Sequence, residues 1–217
     1  MPNRNNKWIG FWDNASSSNT NNKSIQGRGS FPDEIYYSIP NDIISTLDIN
    51  SNDCIADIGG STGDFSKYII QKVNPTYLEL FEASKYSLSI FKEWIEKNNL
   101  KNINASHCVL PEIDFKRKFN KVFVGSVFQY LNSLEDVELS IKKIYDALEN
   151  NGKLLLFHHY DKDIWKPNEW DLLLINYSEI SEIGRKVGFK NIKRVKIGLY
   201  HGNNICGDSE LSILLTK

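Results

Sequence analysis

The chain carries little of what staples or anchors a protein. Its three cysteines, Cys54, Cys108 and Cys206, are odd in number and far apart. None belongs to a C-x-x-C pair or to a metal-ligand spacing, so reduced thiols are expected rather than a disulfide framework or a zinc site. No apolar run approaches about 18 residues, the length that a spanning helix requires. The start, "MPNRNNKWIGFW", lacks the apolar core of a secretory leader, and a cytoplasmic protein is the expectation. Charge of one sign is also missing: 26 Lys and Arg face 27 Asp and Glu, a net charge of -1. That balance offers no basic field to a nucleic acid or an anionic membrane. The densest basic stretch, "DFKRKFNK", has acids nearby and reads as a solvated loop. There is no internal repeat and no sign of a second core. The 217 residues therefore fit one domain, 1–217, long enough to bury its own core.

What is present is an alternation of strand and helix patterns. Residues 1–31 are polar and rich in Asn and Ser, and read as a loop or partly disordered arm. Yet the arm carries Trp8, Phe11 and Trp12, so docking onto something is expected of it, as a lid over a pocket or as a purely structural arm. "DEIYYSIPNDIISTL" is helical and expected to break or kink at Pro40. Strands are predicted at 54–58, 76–82, "NINASHCV", 121–127 and 153–159, and in "NIKRVKIGLY" and "ELSILLTK". Helices are predicted in "DFSKYIIQKV" and "SLSIFKEWIEKNN", at about 134–149 with a stop at Gly152, and in "YSEISEIGRKVGF" with Ser178 as a candidate cap. The alternation predicts an α/β fold: a seven-stranded, mostly parallel sheet with helices on both faces and an antiparallel last strand.

The turn "DIGGSTGD" after the first strand is the first place to look for a site, because open α/β sheets bind ligands beyond the carboxyl ends of their strands. A dinucleotide cradle needs G-x-G-x-x-G, but a frame starting at Gly59 gives Gly59, Ser61 and Asp64. No G-x-x-x-x-G-K-[ST] follows either. "GGSTG" does match the G-x-S-x-G elbow, with Ser61 as nucleophile and Asp136 or Asp161 and then His201 available in order. That elbow normally follows several strands, and here only loop and helix precede it. The third reading is a nucleoside pocket without phosphate. Asp57 stands two residues before the turn, and Gly59, Gly60 and Gly63 let the backbone approach a ligand. Glu82 ends the second strand about 20–25 residues on, where a carboxylate can hold two ribose hydroxyls. Such a pocket wants ribose hydroxyls, no phosphate and positive charge, a description that S-adenosylmethionine fits.

Here the chain resembles the class I, Rossmann-like S-adenosylmethionine-dependent methyltransferases, from about Trp12 to Lys217. "DIGGSTG" is similar to the family's D-x-G-x-G-x-G, with Ser61 in place of one glycine. "LELFEAS" resembles its second motif, with Glu82 as ribose acid and Ala83 beside it. "HCVLPE" resembles the segment after the third strand, with Ser106 or His107 where the family has an adenine-contacting Asp. "FNKVFVGSVFQYL" resembles the fourth motif, with Asn120 in place of Asp. "ENNGKLLLF" and "SEIGRKVGFKNIKRVKI" match the fifth strand and the late helix–strand pair. The resemblance implies S-adenosyl-L-methionine as cofactor, held by Asp57, Gly59, Gly60, Ser61, Gly63, Glu82, Ala83, Ser106, His107 and Ser126. It also implies that Ser126, Gln129 and Tyr130 lie near the transferred methyl.

The remaining candidates concern the methyl acceptor. "FHHYD" ends a predicted central strand, where His158 or His159 could serve as general base for an O-methylation; a packing role is the alternative. Trp12 and Arg28 from the arm, with His201 from the loop between the last strands, are candidate substrate contacts. Arg28 would suit a carboxylate or a phosphate. With no separate recognition domain, the expected acceptor is a small molecule taking the methyl on oxygen or nitrogen, such as a sugar or natural-product intermediate. Neither nucleic acid nor membrane is expected as partner, and no metal is expected. A serine hydrolase built on Ser61 and a non-catalytic adenosyl-binding module remain as alternatives. Nothing in the sequence sets the oligomeric state.

Overall fold

The structure, a computed structural model, describes residues 4–18, 32–164, 171–198 and 210–217. In chain order the elements are α1 (Arg4–Ser18), α2 (Asp33–Leu47), β1 (Cys54–Ile58), α3 (Asp64–Val73), β2 (Tyr77–Glu82) and α4 (Lys85–Lys97). Then follow β3 (Ile103–His107), β4 (Phe119–Gly125), a 3-10 turn (Phe128–Tyr130), α5 (Leu134–Ala147), β5 (Leu148–Tyr160), α6 (Tyr177–Val187), β6 (Asn191–Arg194) and β7 (Glu210–Thr216). The seven strands form one sheet in the order β3-β2-β1-β4-β5-β7-β6. The ladders among the first five are parallel. β7 runs antiparallel between β5 and β6, so the last strand of the chain is inserted into the sheet rather than added at its edge.

Period-two alternation splits the core into two layers. Leu154 and Leu156 join Ala56, Val122 and Val124 under α5 and α6. Leu155 and Phe157 join Ile55, Leu80 and Phe123 under α2, α3 and α4. The chain leaves β1 for β2 and β3 on one side, then crosses to β4 on the other, so the carboxyl ends of β1 and β4 flank the topological switch point.

Four local expectations are corrected. First, the arm is no loop over 4–18: Trp8, Trp12 and Ser16 recur every four residues and give α1 one inward face despite its polar composition. Second, α2 runs unbroken through Pro40, because Ile39 and Ile43 on either side are fully buried. Burying two such side chains contributes roughly 3–6 kcal/mol, enough to offset the roughly 3 kcal/mol that an interior proline costs. Third, α5 ends at Ala147 and β5 begins at once, ahead of the stop expected at Gly152. Fourth, α6 is capped by Asn176 rather than Ser178. The Asn176 side chain accepts from Glu179 N at 3.1 Å, and the Glu179 carboxylate accepts from Asn176 N at 3.0 Å.

Candidate functional site

The turn after β1 is built by close approach. Gly59 takes φ +75, and its N–H donates to Phe81 O at 2.7 Å. A Cβ there would lie 2.2 Å from Val127 Cγ2. At Gly60 a Cβ would lie 2.4 Å from Asp57 Oδ2 and 2.6 Å from Leu80 Cδ1, so glycine is enforced by the carboxylate beneath it. Asp57 Oδ2 accepts from Ser66 Oγ of α3 at 2.6 Å, which ties the motif acid to the helix that follows the turn. Ser61 holds the left-handed conformation, φ 52, that the family's glycine would take without strain.

That conformation lets Ser61 N donate to Glu82 Oε2 at 2.8 Å, while Ser84 N donates to Glu82 Oε1 at 2.7 Å. Glu82 thus bridges the glycine turn and the start of α4. Burial pushes its carboxyl above the usual range; the backbone N–H groups of Ser84, Ser61 and Ala83 pull it back, and Asp13 pushes it up again. A carboxylate offers about four lone-pair positions, so beyond these backbone donors Glu82 keeps acceptor capacity for a ligand hydroxyl.

Glu82 faces a pocket of about 1070 Å³ of atom-free space, its open mouth included. The turn and Glu82 form one end. Cys108, Val109 and Leu110, after β3, form a side wall, and Ser126 and Val127, after β4, form another. Cys108 N donates to Glu82 O at 3.0 Å. Burial, with Glu82 nearby, pushes the Cys108 thiol up to about 12, so this wall is uncharged at neutral pH. Ser126, at φ 57, donates from Oγ to His158 O at 2.9 Å. Over the pocket lies α1, with Trp8, Ile9 and Trp12 on its lining. The Trp8 and Trp12 rings sit 4.9 and 5.8 Å from that of Tyr130. Two side-chain bonds latch α1 to α4: Ser84 Oγ donates to Asp13 Oδ1 at 2.6 Å, and Ser16 Oγ meets Ser87 Oγ at 2.7 Å. Ser84 is also the N-cap of α4, so Asp13 sits at a helix N-terminus, where a carboxylate is favoured.

Of the residues singled out in the sequence, Asp57, Gly59, Gly60, Ser61, Glu82, Ala83, Ser126, Trp12 and Tyr130 come together on this lining. Gly63 caps α3 just outside it. Ser106 turns away and donates to Glu79 Oε1 at 2.6 Å, and His107 is exposed with Nε2 3.0 Å from Ala83 O. Gln129 is buried off the lining, its Nε2 donating to the Tyr130 hydroxyl at 3.2 Å. His158 lies within a bulge in β5 and His159 ends it, since the register to β7 slips between Leu156 and His159. His158, at φ 56, is buried with Nε2 3.0 Å from Ile197 O, while His159 Nε2 accepts from Phe128 N at 3.3 Å. Both rings are spent on packing and neither reaches the pocket, so the geometry does not place a histidine at the expected acceptor site. Arg28, His201 and Cys206 lie outside the described residues.

Sequence reasoning missed Val109, Leu110 and Val127. The signal for Val109 and Leu110 was the apolar pair in "HCVLPE", passed over for its polar neighbours. Asn120, read as a departure from the fourth motif, sits far from the pocket chemistry. It accepts from Cys54 N at 2.8 Å and donates to Asp53 Oδ1 at 2.6 Å, pinning β4 to the start of β1. Among the described residues no histidine lines the pocket beside Ser61, and no cluster of three metal-ligating side chains exists.

No family model matches the chain. It is 30% identical over 115 residues to the Bacillus subtilis (strain 168) protein named "Putative methyltransferase YrhH". The match covers 52% of this chain and 62% of that protein, so it spans less than two thirds of the relative's length. Among solved structures, Haemonchus contortus phosphoethanolamine N-methyltransferase 1, in complex with phosphoethanolamine and S-adenosylhomocysteine, superposes with a TM-score of 0.75. It is 14% identical, covering 98% of this chain and 48% of that one. PigF with S-adenosylhomocysteine gives a TM-score of 0.71 at 13% identity, covering 97% and 62%. Sheet order and these likenesses agree on the fold: the chain has the Rossmann-like fold of those methyltransferases.

Proposed function

We propose that this chain is an S-adenosylmethionine-dependent methyltransferase that acts on a small-molecule acceptor. The observation that carries the reading is the Glu82 carboxylate, held by Ser61 N and Ser84 N and facing the pocket beside a turn where a side chain at Gly60 would press on Asp57 and Leu80. A phosphate is disfavoured there, because Asp57 and Glu82 are both acids. A ribose hydroxyl suits the acceptor capacity that Glu82 keeps, and Val109 and Leu110 offer an apolar slot for a base. The carboxylates also favour a cationic ligand over its neutral form.

When bound, the cofactor supplies a methyl group already activated by its sulfonium. The chain then has to hold two reactants in line and keep water out. In this reading Glu82 fixes the ribose, the backbone from Gly59 to Ser61 passes close beneath the ligand, and α1 with Tyr130 closes the mouth. The Tyr130 hydroxyl accepts from Gln129 Nε2 at 3.2 Å, which orients it on the pocket lining. The test is calorimetric titration with S-adenosylhomocysteine. Binding at micromolar or tighter is the expected result, and absence of binding at millimolar ligand would overturn the assignment.

A further inference from the structure

The pocket has two unlike ends. At one, Asp57, Glu82 and the turn gather polar atoms. At the other, α1 and the segment after β4 set Trp8, Trp12 and Tyr130 side by side, with Ile9 and Leu131 around them. The aromatic end is built by the fold and does not wait for a ligand. The Asp13–Ser84 and Ser16–Ser87 contacts hold α1 in place, and Trp8 is only 5% exposed. Trp12 and Tyr130 stay half-buried, so both keep surface open to the pocket.

The geometry points to a flat, uncharged aromatic molecule as the methyl acceptor, with Trp12 and Tyr130 as the residues that select it. This rests on the methyltransferase reading of the same pocket and adds the acceptor class to it. Three facts favour that class over an anionic aliphatic one such as phosphoethanolamine. The faces of aromatic rings carry negative potential and repel anions, while they attract ring edges and stack against flat rings. Among the described lining residues the charged groups are Asp57 and Glu82, both acids, so that lining offers no cation to hold a phosphate. Trp8 and Trp12 both pack on Tyr130, at interplanar angles of 45° and 70°, so the rings offer edges as well as faces to an aromatic partner.

The test uses the full chain saturated with S-adenosylhomocysteine and titrated calorimetrically with quinoline, 2-naphthol and phosphoethanolamine at pH 8, where the first two are mostly neutral. Quinoline or 2-naphthol should bind, phosphoethanolamine should not, and Trp12→Leu and Tyr130→Leu should each weaken the aromatic probe by about tenfold, equal to about 1.4 kcal/mol. Leucine keeps the site apolar, so that loss reports the ring. Tighter binding of phosphoethanolamine than of either aromatic overturns the inference, and this comparison needs no variant to fold. Undiminished aromatic binding in both folded variants overturns it as well. If S-adenosylhomocysteine itself does not bind, the methyltransferase reading fails and the acceptor class falls with it. If it binds while the aromatic probes are ignored, only the acceptor class fails.

Discussion

Replacing Glu82 by glutamine changes few atoms and tests the site at its centre. The side chain keeps its shape and one acceptor oxygen. Its new amide NH₂, however, must face one of two backbone donors, Ser61 N at 2.8 Å or Ser84 N at 2.7 Å. Setting a donor against a buried donor costs about 1–3 kcal/mol of fold stability. The diol side suffers too, because two charge-assisted bonds of about 1.5–3 kcal/mol each become neutral or are lost. With one oxygen retained, the expected loss in ligand affinity is about 2–4 kcal/mol, or about 30- to 900-fold. Calorimetry with adenosine and with 2′,3′-dideoxyadenosine separates the two effects as a double-mutant cycle. Wild type should prefer adenosine strongly, and Glu82→Gln should hardly distinguish the pair. The pH dependence follows from the raised carboxyl of Glu82, which burial chiefly causes. A folded-state value above the unfolded one means that ionisation opposes folding, so ligand-free stability falls as pH rises from about 4.3 through the folded titration. Ligand affinity rises over the same window, because the ionised form is the better acceptor. The glutamine variant should lose this contribution to both trends. An adenosine preference unchanged by Glu82→Gln would refute the assignment of Glu82 to a diol.

Three further substitutions probe the surrounding geometry. Gly60→Ala forces a Cβ against Asp57 Oδ2 and Leu80 Cδ1; it should cost about 1–3 kcal/mol in urea unfolding and weaken S-adenosylhomocysteine by at least about tenfold, and retention of both would disprove the enforced approach. Asp13→Ala removes the carboxylate that accepts from Ser84 Oγ; about 1 kcal/mol of stability should go, with faster proteolytic cleavage within residues 4–18, and identical cleavage rates would mean that the latch does not hold α1. Asn120→Asp restores the family's acid at that position but sets it against Asp53 Oδ1, now 2.6 Å from Asn120 Nδ2. Two facing carboxylates repel each other and hold a shared proton to higher pH, so the variant should be about 1–2 kcal/mol less stable near pH 7 and recover as pH falls towards 4. Equal stability at pH 7 would count against the pin between β4 and β1.

Much of the acidic end of the pocket could be read from local pattern. Asp57, the glycine turn and Glu82 are each fixed by chain geometry over a few residues: an apolar strand ends, the backbone must turn sharply, and the next strand ends in an acid. The side wall after β3 could not be read so. Ser106 and His107 align with a polar position in the family, but strand alternation and the pairing to β2 turn Ser106 to Glu79 and His107 to the Ala83 carbonyl, leaving Val109 and Leu110 on the pocket. His158 and His159 misled for a related reason. A bulge cannot be seen in "FHHYD", and the two rings are taken up by Ile197 O and Phe128 N, partners 39 and 31 residues away.

Local periodicity and turn chemistry alone determined the seven strands, the two helical layers and the acid–glycine–acid order that points to a nucleoside, because those forces act between near neighbours in the chain. Tertiary structure decided the rest. It drew a polar-looking segment into α1 through contacts 71 residues apart, set β7 between β5 and β6, and closed the pocket with Trp8, Trp12 and Tyr130. Such pairings depend on which surfaces remain unburied once the sheet has formed, and a linear pattern does not carry that information.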